Sequence, residues 1–409
     1  LMPLSEGVLK GQTGSLQDAE GKTLVFFQIV AFTRTASARK PLFCQIKLIP
    51  ATGYEEQQQQ AQQLLRDLGC FEPSLPPIDS FLGAIGVTPR PYTVKPELSI
   101  DPAMPARTAV NSIISQMIEK QRLNERGVID DIDTEFLHHF RVALRMVRAA
   151  IAQLKEVYPE QDVLSLKNRF GKLARETNHL RDLDVFILDK GRYLDLLPAS
   201  LADGLLPMFD DFERDRANEV KRVANWLKSA AYRREMRELQ ALFEKGYPAC
   251  ETEWSEKPCI ELAVSKINKR YRKIQKAALK ITAETPDEII HGIRIDCKKL
   301  RYLLYFFGDL FDDKALKLAG KQLKRLQDRL GIFNDLSVQG KYLENYLQES
   351  ERKENKDVYL IAALGGLIAT LYSMQKLSRE ECIRELHIFS AKRNRELFRE
   401  AFALEATAV

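Results

Sequence analysis

The sequence predicts a mainly α protein in which two duplicated helical-bundle halves follow a small β-rich segment. Three observations carry this reading. From Arg107 onward, prolines thin out and apolar residues recur at helical spacing. A histidine with three cationic residues occurs twice at the same spacing, His138, Arg141, Arg145, Arg148 and His291, Arg294, Lys298, Arg301, with a constant offset of 153. Before about residue 70, by contrast, the apolar runs are short and rich in aromatic and β-branched residues.

The β-rich segment, residues 1–70, contains Thr23 to Thr33 (TLVFFQIVAFT) and Pro41 to Ile49 (PLFCQIKLI), both expected as strands. A glutamine-rich helix is expected over Tyr54 to Leu68, with Gln57 to Gln60 as a solvated face. Eight of the 17 prolines fall between Pro73 and Pro105, which predicts a linker over 71–106, extended in part. The helical region then spans 107–409, with halves of about 107–250 and 251–409.

In the first stripe helix the apolar positions are Leu137, Phe140, Leu144, Val147 and Ile151; in the second they are Ile290, Ile293, Cys297, Leu300 and Leu304. The basic stripe follows the apolar one by a single residue in each, hence roughly 100° round the helix. It borders the core, as the wall of a groove or pore between packed helices would. Like charges three and four residues apart cost roughly a few tenths of a kcal/mol per pair, so helix stability gives no reason to build such a column twice. A compensating anion does.

The duplication extends further. Arg181, Asp182 and Leu183 (in RDLDV) stand 153 residues before Asn334, Asp335 and Leu336 (in NDLSV), and Lys172 stands opposite Arg325. Two like units pack about a pseudo-twofold axis, which turns both stripes toward one site. Lys266, Lys269, Arg270, Arg272, Lys273 and Lys276 precede the second stripe, and Lys317, Lys321, Lys324 and Arg325 follow it. The first half has the sparser set Lys120, Arg122, Lys167, Arg169, Lys172 and Arg175, so the second half is expected to be the more electropositive.

Composition sets the frame. The 409 residues are 45% hydrophobic and 29% charged, ordinary for a soluble globular protein, and a net charge of only +5 means that positive charge acts through local clustering. Six cysteines without a CxxC pair, and no basic-then-apolar leader, fit a reducing cytoplasm. The apolar run Val358 to Met374 is at the lower edge of membrane-spanning length and is read as a buried bundle helix, without a membrane.

Each candidate has a plainer reading beside it. A single basic stripe is more often a solvated face, and it is the duplication that favours a site. No Cys/His cluster has zinc-site spacing around His138 or His291, and no nucleophile or carboxylate pair recurs with the stripes, so both histidines are read as hydrogen-bond donors to an anion. His139, with Gly292 as its counterpart, is read as structural. Asp182 and Asp335 are read as structural, capping a helix or holding a stripe cation in position, with a Mg2+ ion carried by the anion as the alternative. Nucleic acid is disfavoured because the motif aromatics Tyr302, Tyr305, Phe306 and Phe307 form a core-like run and not a stacking platform.

The patterns HxxRVALRxxR and RDLDV, then HxxRxxxKKLRY and NDLSV, resemble the CHAD family, the conserved-histidine α-helical domain, over roughly Arg107 to the C-terminus. The resemblance implies two helical-bundle halves around a basic central pore that binds inorganic polyphosphate. It points to His138, Arg141, Arg145, Arg148, His291, Arg294, Lys298, Lys299 and Arg301. Lys172, Lys321, Lys324 and Arg325 complete the expected site, with no catalytic residue, cofactor or metal.

The segment KPLFCQIKLIPATGYEEQ looks like a late strand and helix of a CYTH domain, the triphosphate-tunnel partner often fused to CHAD. The ExExK strand of such domains is absent from the sequence, which implies a degenerate, structural or docking role. The expectation is a cytoplasmic binding module. The alternatives are a metal-dependent polyphosphatase or triphosphatase, and a structural protein of polyphosphate or other polymer granules.

Overall fold

The computed structural model describes residues 7–35, 40–72, 76–86, 98, 100–244, 246, 252–311, 313–352 and 357–402. The chain forms two compact units, Leu1–Val94 and Lys95–Val409.

The first unit is an antiparallel meander of β1 (Val8–Gln17), β2 (Thr23–Thr33) and β3 (Phe43–Pro50), followed by helices α1 (Glu55–Asp67) and α2 (Pro77–Ala84). The two apolar strands lie where their composition predicts. Strand β1 does not announce itself, because VLKGQTGSLQ has two glycines and little alternation; it is held by its ladder to β2, from Val8 opposite Thr33 to Leu16 opposite Val25. The connecting turn uses Gly21 at φ +82° and the Asp18 carboxylate, which accepts from the backbone N–H groups of Glu20 and Lys22.

Two expectations change here. Gln58, within the glutamine run, donates its side-chain amide to the Leu48 carbonyl at 3.3 Å, so part of that face anchors α1 to β3 instead of facing water. The proline-rich stretch expected as linker contains α2, with proline at its first position, where a missing N–H costs nothing. Phe81 of α2 packs on Phe32, which stacks on Phe43 at 4.3 Å. Residues 87–97 and 99 lie outside the described residues.

The second unit consists of α3 (Ala106–Ile129), α4 (Thr134–Gln153), α5 (Glu160–Arg175), α6 (Asn178–Leu188), α7 (Lys190–Asp195), α8 (Ala199–Ala202), α9 (Leu206–Lys228) and α10 (Ala230–Glu244). Then follow α11 (Cys259–Ala278), α12 (Asp287–Phe307), α13 (Asp313–Glu351), α14 (Val358–Ser390) and α15 (Lys392–Phe402). The offset of 153 governs where helices begin: α11, α12 and α13 start 153 residues after α3, α4 and α5.

The segments entering α3 and α11 pair with one another. Ala106 N–H donates to Lys257 O and Cys259 N–H to Met104 O, both at 2.8 Å, while Arg107 N–H donates to Ser255 O and Ile260 N–H to Pro102 O. Adding or subtracting 153 turns each bond into its partner, and the antiparallel bridge Pro105–Pro258 maps onto itself. A contact that is its own image lies on the axis relating the halves, as at an isologous interface.

Both stripe helices bury the predicted apolar positions. Leu137, Phe140, Leu144, Val147 and Ile151 are at most 3% exposed, and Ile290, Ile293, Cys297, Leu300 and Leu304 at most 9%. Each such burial contributes roughly 1.5–3 kcal/mol for a large side chain. Phe306 and Phe307 are core residues, while Tyr302 and Tyr305 pack partly buried beside them.

The halves diverge after α5. The first half breaks at Glu176 and Thr177 before α6, whereas α13 runs unbroken for 39 residues through the equivalent positions Arg329 and Leu330. Helix α14 is long and apolar enough, by length and composition, to cross a membrane. It is not buried all round as expected. Leu360, Ala363, Leu364, Leu367 and Leu371 form an inward stripe in a second core cluster, while Val358, Tyr359 and Tyr372 are exposed.

Candidate anion-binding site

The two stripe helices touch. Gln153, near the end of α4, donates its side-chain amide to the main-chain carbonyl of Lys299 on α12 at 3.2 Å. Across this junction Arg145 and Lys298, equivalent residues in the two halves, stand in one electrostatic field. The Lys298 ammonium is pushed down to about 8 by burial and by the charges of Arg294, Arg145 and Arg301, with Asp335 opposing.

Other stripe members experience the same field. Burial pushes Arg141 down to about 10, helped by Arg145, Arg181 and Arg148 and opposed by Asp182. Burial also lowers His138, with Arg181 and Arg145 adding to the effect and Glu135 opposing it. Arg294 is lowered by burial, with Asp335 opposing. These shifts share a sign because burial strips water from each group, with neighbouring cations adding to the effect at His138, Arg141 and Lys298, and an anion placed among them opposes it.

The outer partners of the stripes keep the 153 offset but differ in chemistry. In the second half, His291 Nδ1 lies 2.7 Å from Asn334 Oδ1, an acceptor that assigns the proton to Nδ1; Arg294 donates to the Asp335 carboxylate at 3.3 Å, and so does the Asn334 amide. In the first half, Arg141 turns to the helix break. Its Nη1 donates to Thr177 Oγ1 at 2.8 Å and to Ala174 O at 3.2 Å, acceptors that exist because α5 ends there. Arg141 Nε, Arg181 Nη1 and Arg294 Nε are buried without an acceptor among the described residues. Buried guanidinium donors are costly to leave unpaired, so they favour an anionic acceptor.

Arg145, Arg148, Lys172, Arg301 and Lys321 are exposed and form no ion pair among the described residues. Three expected members are engaged elsewhere. The Lys299 ammonium stands with Arg270, Asp296 and Lys273 of the α11–α12 contact, as its position about 100° round from Lys298 requires. Lys324 pairs with Asp328 at 2.7 Å, and Arg325 with the buried Glu385 of α14 at 3.0 Å. Upstream, Lys266 pairs with Glu156, and Arg270 and Lys273 share Asp296. The second half has more cations, yet many are neutralised, so the expected excess of positive charge there is reduced.

Arg181 is the residue that the site expected from sequence omits. Its signal was present in the offset, since it stands to His138 as Asn334 stands to His291. His139 lies 3.7 Å from Glu135 on its own helix. Asp182 and Asp335 both open on a cavity of about 350 Å3 between α6 and α13, lined also by Asp189, Arg192, Asn334 and Tyr342. Among the described residues, no three His, Cys, Asp or Glu side chains converge as metal ligands.

Comparison with known proteins agrees with this architecture. Two Mycobacterium tuberculosis proteins, of strains CDC 1551 / Oshkosh and H37Rv and both named only as uncharacterized, are 26% identical over 249 residues, 60% of this chain. The match covers 47% of each, so the chain spans about half the length of these curated relatives. Among solved structures, the CHAD domain from the plant Ricinus communis has a TM-score of 0.59 at 24% identity, covering 72% of this chain and 96% of that one. PptA from Streptomyces chartreusis has a TM-score of 0.50 at 12% identity, covering 69% and 99%. At these identities the likeness shows the fold. The CHAD domain model itself matches residues 112–344, more than half of the sequence and both stripe helices, and the chain belongs to the CHAD domain family.

Proposed function

We propose that this protein binds inorganic polyphosphate, or an anion closely like it, between the two stripe helices. The observation that carries the reading is the set of buried guanidinium donors of Arg141, Arg181 and Arg294 left without an acceptor among the described residues, with Arg145 and Lys298 adding positive charge beside them. Arginine supplies a planar donor fork to phosphate oxygens and lysine a point charge, a mixture that suits a repeating phosphate chain. The groove between the stripes is the basic pore of this reading.

In this reading the protein is a binding module: the buried donors left without an acceptor beside the stripes are guanidinium groups, while Asp335 is already held by Arg294 and Asn334. Binding free energy comes largely from release of the counterions condensed on the polymer. Phosphate is favoured over nucleic acid because the aromatics beside the second stripe, Phe306 and Phe307, are spent in the core.

Isothermal titration with long-chain polyphosphate, beside a single-stranded oligonucleotide at matched charge, tests the reading. Tight binding of the polyphosphate and weak binding of the oligonucleotide are expected. Equal affinity would turn the reading toward nucleic acid, and phosphate release in the presence of Mg2+ or Mn2+ would turn it toward a phosphatase.

A further inference from the structure

We infer that the duplicated site is functionally unequal: the first half grips a short phosphate chain by itself, and the second half is an extension that only a longer chain engages. The inference rests on the polyphosphate reading and adds which cations do the gripping.

The argument compares equivalent positions. Arg181 of the first half carries a guanidinium with an unpartnered buried Nη1, while its counterpart Asn334 is neutral and spends its amide on His291 and Asp335. His138 makes no hydrogen bond among the described residues, while His291 is tied to Asn334 at 2.7 Å. Arg141 is positioned by two neutral acceptors, Thr177 Oγ1 and Ala174 O, with Asp182 acting on it only through space and not through a hydrogen bond. Arg294 is positioned by a carboxylate, Asp335, which offsets that charge. Asp182, the counterpart of Asp335, makes no hydrogen bond to Arg141.

The same contrast recurs one helix further on. Lys172 has no ion pair among the described residues, whereas its counterpart Arg325 is paired with Glu385, a carboxylate only 5% exposed. At these positions the first half leaves its cations without a carboxylate hydrogen bond, whereas Arg294 and Arg325 of the second half each have one, although Arg294 Nε, like Arg141 Nε, has no acceptor among the described residues. An incoming anion must displace Asp335 from Arg294 and compete with Glu385 for Arg325, but displaces no carboxylate hydrogen bond from Arg141 or Arg181. Only a chain long enough to gain further contacts offsets that cost.

The test measures tripolyphosphate and long-chain polyphosphate binding to three versions of the full chain, with helicity and melting followed for each. These are the wild type, a first-half variant (Arg148→Gln with Arg181→Gln), and a second-half variant (Arg294→Gln with Arg301→Gln). The first-half variant is expected to weaken tripolyphosphate by about tenfold or more, and the second-half variant by less than about twofold. Both should weaken the long chain. Glu385→Gln, which frees Arg325 without changing size, should tighten long-chain binding and leave tripolyphosphate unchanged.

Equal loss of tripolyphosphate binding in both variants would overturn the inequality while leaving the polyphosphate reading in place. A wild type that holds long chains but not tripolyphosphate would overturn it as well. If neither phosphate binds the wild type, the underlying reading fails and this inference with it.

Discussion

Arg145 on α4 and Lys298 on α12 are the same position of a duplicated unit, 153 residues apart, and each stands in the other's field at the junction of the two halves. Like charges are brought together there by the apolar stripes behind them, which pack α4 and α12 into one core. The folding free energy of that core offsets the repulsion and leaves a concentration of positive charge that the proposed anion would relieve.

Reversing both charges, Arg145→Glu with Lys298→Glu, should abolish polyphosphate binding. Each lost charge-assisted contact is worth about 1.5–3 kcal/mol, and reversal adds repulsion against the ligand. Neither residue has an ion pair among the described residues, so helicity should be kept and the melting temperature nearly so. Wild-type affinity in the double variant would remove the stripe junction from the site.

Lys298 makes the pH dependence specific. Its ammonium, held down to about 8 in the free protein by burial first and by its cationic neighbours second, should rise when a phosphate anion is bound beside it. Binding then takes up protons and weakens as pH increases from about 7 to 9. Stability of the free protein runs the other way. Because the folded value is below the unfolded one, the unfolded chain holds more protons between about 8 and 10.4, and the Lys298 contribution rises with pH across that window. Calorimetry in buffers of different ionisation enthalpy reads the uptake, and Lys298→Arg should remove it. Uptake that persists unchanged in Lys298→Arg would assign the proton elsewhere.

Raising NaCl should weaken long-chain binding steeply, with log affinity falling linearly against log salt, since several phosphates are neutralised together. The double charge reversal aside, single neutralisations at Arg148 or Lys172 should each lower the slope by roughly one released ion. A flat response would eliminate counterion release as the driving term.

Much of this arrangement was legible in the sequence because the repeat supplied an internal comparison. The spacing His138 to Arg148 gave the helix and its face, the matching residues at 291–301 gave the duplication, and the offset located Asp182 and Asp335. What sequence spacing does not contain is which acid lies beside which base across the bundle. Lys324 and Arg325 looked equivalent to stripe cations, yet α13 and α14 pack so that Glu385 takes Arg325, while Asp328, one turn along α13, takes Lys324. Lys299 was adjacent to Lys298 in sequence and hence on a different face. Strand β1 was hidden for a related reason: a partner strand, and not its own composition, holds it in place.

The break between α5 and α6 gives the last prediction. Thr177 Oγ1 accepts from Arg141 Nη1 at 2.8 Å and donates to Ala174 O at 3.2 Å, so one hydroxyl both closes the helix end and orients a stripe guanidinium. Thr177→Val keeps the shape of this fully buried side chain but removes the acceptor. Loss of one such bond, with Arg141 retaining Ala174 O, should cost about 2 kcal/mol of stability, because the donor is charged. The larger effect should be on binding: Arg141 keeps its charge but not its position, so affinity should fall about tenfold with the salt slope unchanged. A denaturant melt and a salt series on the same variant separate the two effects. A fall in slope equal to that of Arg141→Gln would mean that Thr177 controls whether Arg141 reaches the ligand at all; affinity equal to wild type would show that Arg141 needs no such support.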